Sequence, residues 1–140
     1  MEAFAADLRA NGRLSGFSDG LRHFKELNGE LVAYPGEAVD TPGSGGNRAV
    51  WPLASILQRD SIPDSTFQAF KARLIALKFI EVAVTPDYVA FVYDGMLNNE
   101  NGYLLLASGH RLPALGTEFL GVELILLEEV APGWYYFATT

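Results

Sequence analysis

The chain has 140 residues, which suits one domain with a real buried core. Hydrophobic residues make up 49% and charged residues 19%, a balance that excludes a disordered chain. The absence of cysteine excludes disulfides, thiol nucleophiles and cysteine metal sites, and the net charge of −7 argues against tight phosphate-backbone binding.

From the N-terminus, Glu2–Asn11 is expected to form a short helix, with Phe4 and Leu8 one turn apart and Asn11-Gly12 as its stop. The first residues lack a basic start and a long apolar run, so no secretory leader is expected. No stretch of about 18 apolar residues follows, so no membrane span is expected and the cytoplasm is the default location. Ser15 or Ser18 can cap a second helix, with Leu21, Phe24 and Leu27 as its stripe and Asn28-Gly29 closing it. Glu30–Tyr34 reads as a short strand, which completes a mainly helical N-terminal part over residues 1–34.

Residues 35–50 carry Pro35-Gly36, Pro42-Gly43 and Gly45-Gly46, and read as a flexible surface loop. A glycine-rich loop can cradle phosphate through backbone N–H groups. This one lacks the Gly-Lys-Ser/Thr ending of a P-loop and the spacing of a dinucleotide site. Trp51 follows and is expected to anchor the loop's exit in the core.

Pro52–Arg59 can form two helical turns, and Asp60–Pro63 is a turn. Phe67, Phe70, Leu74 and Leu77 recur at steps of three and four, so they share one face of a longer helix capped by Asp64 or Ser65. The pattern then alternates. Ile80, Val82 and Val84 point one way, Val89, Phe91 and Tyr93 alternate on the return, and Thr85-Pro86-Asp87 is the turn between them. Phe79–Val84 and Tyr88–Asp94 are therefore expected to pair as a hairpin.

Helix, tight turn, longer helix and hairpin in this order resemble a winged helix-turn-helix. Ile56 to Phe70 is similar to the helix-turn-helix itself, and Leu74 to Val82 to the run from recognition helix into the first wing strand. In that family the second helix enters the major groove with its N-terminal residues. The resemblance implies that Ser65, Thr66, Gln68 and Lys71 face double-stranded DNA while Ile62, Phe67 and Phe70 pack inside. Residues 51–94 hold four basic and five acidic groups, whereas residues 95–140 hold Arg111 and five glutamates, so the acidity lies mostly outside this unit. The expected wing tip still carries Asp87 and no cation.

Beyond Asp94 the chain is expected to be β-rich. Gly95–Gly102 is a polar turn with Asn98, Asn99, Glu100 and Asn101, without the spacing of a calcium loop. Tyr103–Ala107, Glu118–Glu128 and Trp134–Thr139 are expected strands. Val122 and Leu124–Leu127 are nearly continuous, so this strand is covered on both faces or meets a partner, and a homodimer through it is an option. His110 beside Ser108 reads as a surface-turn residue, since Ser-His chemistry needs a third orienting group. Glu123 reads as an outward residue of an edge strand, and Trp134, Tyr135 and Tyr136 either line a pocket or close the sheet.

The fold expected is α+β in a single domain, residues 1–140: N-terminal helices, a central winged-helix-like unit with its hairpin over residues 51–94, and C-terminal antiparallel strands over residues 95–140. The expected function is that of a small nucleic-acid-binding regulator. The alternative is a non-enzymatic α+β ligand- or protein-binding module, helices on one face of an antiparallel sheet, which requires Tyr103–Thr139 to pair in the same sheet as Phe79–Asp94. No nucleophile motif, cofactor fingerprint or metal constellation is found in the sequence, so neither an enzyme nor a cofactor is expected.

Overall fold

The computed structural model describes residues 1–21, 24–39, 48–96 and 99–140. Phe4, Ala5 and Leu8 fall on one side of the first helix, α1 (Glu2–Asn11), and are buried there. The chain then enters β1 (Gly16–Ser18), not a second helix. Leu21 and Phe24, two members of the expected apolar stripe, are each 72% exposed, so no helix gains from packing them. Asn28 and Gly29 both adopt positive φ, 49° and 80°, which is the backbone of a two-residue hairpin turn. That turn joins β2 (Glu26–Leu27) to β3 (Glu30–Ala33).

The expected loop over residues 35–50 spans irregular chain at 35–39, and its glycine-rich middle, residues 40–47, lies outside the described residues. β4 (Val50–Pro52) pairs with β3 in parallel and leads straight into α2 (Leu53–Arg59). Leu53, Ile56 and Leu57 are its buried side. Ser61 takes a left-handed φ of 55° in the turn, and α3 (Asp64–Ala76) follows with Phe67 and Leu74 buried. β5 (Glu81–Val84) and β6 (Tyr88–Met96) form the hairpin. The polar turn expected over Gly95–Gly102 is mostly ladder: β6 reaches Met96 and β7 (Asn99–Leu106) starts at Asn99, and the tip with Asn98 lies outside the described residues.

The expected long strand from Glu118 is split. β8 (Glu118–Phe119) ends at the Leu120-Gly121 turn, and β9 (Val122–Ala131) runs back beside it. β10 (Trp134–Thr139) closes the chain after Pro132-Gly133 and pairs with both β7 and β9.

These strands make one ten-stranded sheet in the order β4-β3-β2-β1-β5-β6-β7-β10-β9-β8. This overturns the expected winged-helix layout. A wing is a hairpin at the edge of a small domain, free to reach a ligand. Here β5 is flanked by β1 on its other side and β6 by β7, so the expected wing is the middle of a long sheet. The cause is long-range pairing: Phe17 lies opposite Val82, a match that no local pattern displays.

All three helices pack on one face of the sheet. There Phe4 lies tilted against Phe91 at 5.7 Å between ring centroids, Phe17 meets Phe67 edge-on at 5.7 Å, and Phe79 lies 5.2 Å from Phe91. The opposite face buries Ala90, Val92, Leu104 and Phe137 under Phe119 and Leu124. Alternation along β6 explains the division, since Val89 and Phe91 face the helices while Ala90 and Val92 face away. Gly102 sits where a side chain has no room: a Cβ there would overlap the Phe91 carbonyl oxygen.

Candidate functional site

The four residues expected to read DNA do not gather into a basic surface. Ser65 is exposed, Thr66 is half-buried, and Gln68 is exposed with its Nε2 donating to Asp64 Oδ1 at 3.4 Å. Lys71 is half-buried, with Nζ 4.2 Å from the centroid of the Tyr34 ring and 6.0 Å from that of Phe67. The neighbouring arginines are also held by the protein itself. Arg59 pairs with Asp60 at 2.9 Å and Glu30 at 3.3 Å, Arg73 pairs with Asp7 at 2.7 Å, and Arg13 donates to the Ser61 carbonyl at 2.7 Å. At the β5–β6 turn, Asp87 accepts from or pairs with His110 Nδ1 at 2.7 Å. The turn that would grip phosphate therefore presents a carboxylate engaged with a histidine. This His-Asp pair lies on the surface, and among the described residues no hydrogen bond joins His110 to Ser108.

Carboxylates approach one another on the face away from the helices. Glu81 is pushed up to about 8, first by burial and then by the Glu100 and Glu26 carboxylates. Among the described residues no group of three or more His, Asp or Glu side chains is arranged to hold a metal ion, and no helix is long and apolar enough to cross a membrane.

The remaining feature is built by β9. Its inner edge pairs with β10 along its length, but β8 covers only Val122 and Glu123 on the outer edge. Leu124 still exchanges backbone hydrogen bonds with Gly116 and Thr117 at 2.8 and 3.0 Å. From Ile125 to Ala131, no described strand or backbone hydrogen bond lies on the outer edge. In an antiparallel ladder every second residue directs its N–H and C=O away from its partner, so this segment presents a row of unpaired donors and acceptors to solvent. At about 3.4 Å per residue it is roughly 23 Å long.

Side chains frame the edge. The register with β10 skips one residue at Ile125 and another at Val130, so both are bulge residues. Ile125 is 48% exposed, Leu126 41% and Val130 55%. Between the bulges lie Leu126, Leu127, Glu128 and Glu129. Leu126 and Glu128 stand opposite Ala138 and Tyr136, while Leu127 and Glu129 stand opposite Phe137 and Tyr135 on the other face. Beside the end of the edge is a shallow pocket of 450 Å³ between Val130, Trp134, Tyr103 and the start of α1. Its wall is fixed by Trp134 Nε1, which donates to Glu2 Oε1 at 3.1 Å.

The charged side chains of residues 112–140 have one sign, and the nearest cation from another element is Arg9, which donates to the Leu105 carbonyl. Arg111 is the last cation of the sequence, and Glu118, Glu123, Glu128 and Glu129 follow it. The apolar run Val122 and Leu124–Leu127 is expected to be covered on both faces or to meet a partner, an expectation that does not include Glu128 and Glu129. The two adjacent glutamates ending that run were the available signal. Comparison with known proteins finds no matching family model, no matching curated protein and no matching solved structure.

Proposed function

We propose that this chain is a non-catalytic protein-binding module that takes an extended segment of a partner onto the outer edge of β9. One observation carries the reading: seven consecutive residues, Ile125 to Ala131, offer an unpaired backbone edge flanked by exposed apolar side chains. Strand addition to such an edge draws affinity from main-chain hydrogen bonds and specificity from alternate side chains. β9 is tied to the sheet by its ladder with β10 and by Leu124 and Leu127, which pack in the cluster on the face away from the helices, and this lowers the ordering cost that falls on the module.

The nucleic-acid reading has less support. Its recognition surface lacks free cations at Lys71, Arg59 and Arg73, and a net charge of −7 opposes a polyanion at every distance that salt does not screen. Homodimerisation through β9 would place a second set of Glu123, Glu128 and Glu129 against the first with no basic residue between them.

The reading is tested by panning a displayed library of extended peptides of about ten residues and mapping the selected peptides by amide chemical shifts. Shifts confined to residues 124–131 and their β10 partners are expected. Binders that map to α3 instead, or salt-sensitive binding of mixed duplex DNA at about 50 mM salt, would overturn it.

A further inference from the structure

We infer that the segment accepted by β9 carries two adjacent basic residues followed by two apolar ones, in the N-to-C direction, and belongs to another protein. This inference rests on the strand-addition reading above and names its partner. Between the two bulges the order of residues is Leu126-Leu127-Glu128-Glu129. A strand laid antiparallel beside it meets Glu129 first, then Glu128, Leu127 and Leu126. Antiparallel addition continues the pattern of β8, β9 and β10 and is slightly the more stable pairing.

Directly opposed side chains on a strand pair interact, and opposite charges favour the pair while like charges oppose it. Glu128 and Glu129 point to opposite faces, so each selects a cation on its own face. Leu126 and Leu127 likewise sit on opposite faces and each favours a β-branched apolar neighbour. The aromatic pair Tyr103–Tyr136, with centroids 5.9 Å apart, extends the helix-side surface inward from Glu128. A long basic side chain opposite Glu128 can lay its methylenes toward that surface while its charge stays at the carboxylate.

The same glutamates oppose a second copy joined through its own β9. Residues 112–140 contain no Lys or Arg, so no register of β9 on itself gives Glu128 or Glu129 a cation. Carboxylates and bulges on an edge strand are a known means of discouraging self-pairing. On this edge they leave one kind of strand acceptable, because a cationic partner turns the repulsion into attraction.

The test uses the full chain and fluorescein-labelled peptides of about ten residues. Their cores are Lys-Lys-Val-Ile, Ser-Ser-Val-Ile and Glu-Glu-Val-Ile in the same Gly/Ser flanks, read by fluorescence anisotropy. The wild type is expected to bind the lysine core about 10-fold more tightly than the serine core and to reject the glutamate core. The double variant Glu128→Lys, Glu129→Lys, both exposed, should keep its fold and reverse the order. A fourth peptide, the lysine core with alternate amides N-methylated, separates the two levels of the account. Equal affinity for all three cores would overturn the basic-pair assignment and leave strand addition standing. Undiminished binding of the N-methylated peptide would overturn strand addition itself, and no binding of any core would overturn both. Sedimentation of the wild type as a dimer that the double variant loses would put a second copy on the edge and overturn the partner assigned here.

Discussion

Lys71 lies over the ring of Tyr34, with Nζ 4.2 Å from the ring centroid. The contact joins α3 to the end of β3 and turns the cation expected to face DNA toward the protein. A half-buried cation–π contact of this kind contributes about 0.5–2 kcal/mol. Lys71→Ala should therefore lower the urea midpoint, while Tyr34→Leu in the same background should add less than it does alone. Additive losses in the double-mutant cycle would show that the two residues are not coupled.

Gly102 predicts a second, larger effect. It stands opposite Val92 on β6 and Phe137 on β10, next to the register shift at Tyr93. Because a Cβ would overlap the Phe91 carbonyl oxygen, Gly102→Ala must separate β6 from β7 at the centre of the sheet. The expected cost is about 1–3 kcal/mol, as for overpacking in a core. An unchanged denaturation midpoint would contradict this placement of the strands.

The Glu81 carboxyl makes stability depend on pH. Burial, then Glu100 and Glu26, push it up to about 8 in the folded chain, against an ordinary value of 4.5. The folded state therefore holds a proton that the unfolded state has released between those values, and stability falls as pH rises from about 4.5 to 8. Above that range the penalty is complete and constant. Glu81→Gln should match the wild type near pH 5 and exceed it at pH 9 by on the order of 1–4 kcal/mol. Thermal scans across this range check both the sign and the window, and a variant whose pH dependence parallels the wild type would contradict it.

What the sequence displayed was local. The steps of three and four through Phe67, Phe70 and Leu74 place α3, and the alternation around Val82 and Val89 places the β5–β6 hairpin, because each pattern is contained within one element. Pairings between distant segments carry no such signature. β1 is three residues long, too short to alternate legibly, yet it pairs with β5 and removes the free wing. Asn28-Gly29 was legible as a hairpin turn between Leu27 and Glu30, but the accidental helical spacing of Leu21, Phe24 and Leu27 competed with it. Chain order alone also made Ser65, Thr66, Gln68 and Lys71 a surface, and only Tyr34, which closes on Lys71 from another element, shows where that cation goes. The edge of β9 was hidden for a related reason. A run of apolar residues suggests a strand packed on its faces, yet Ile125, Leu126 and Val130 are exposed, and the run says nothing of whether the backbone has a neighbour on each side.

The most direct test of the β9 account is amide hydrogen exchange of the chain with and without the Lys-Lys-Val-Ile peptide at saturation. In the free protein, alternate amides from Ile125 to Ala131 should exchange fast while those directed at β10 are protected. Added peptide should slow the fast set and leave α3 unchanged. Protection that appears on α3, or fast β9 amides that stay fast with the peptide bound, would contradict the account.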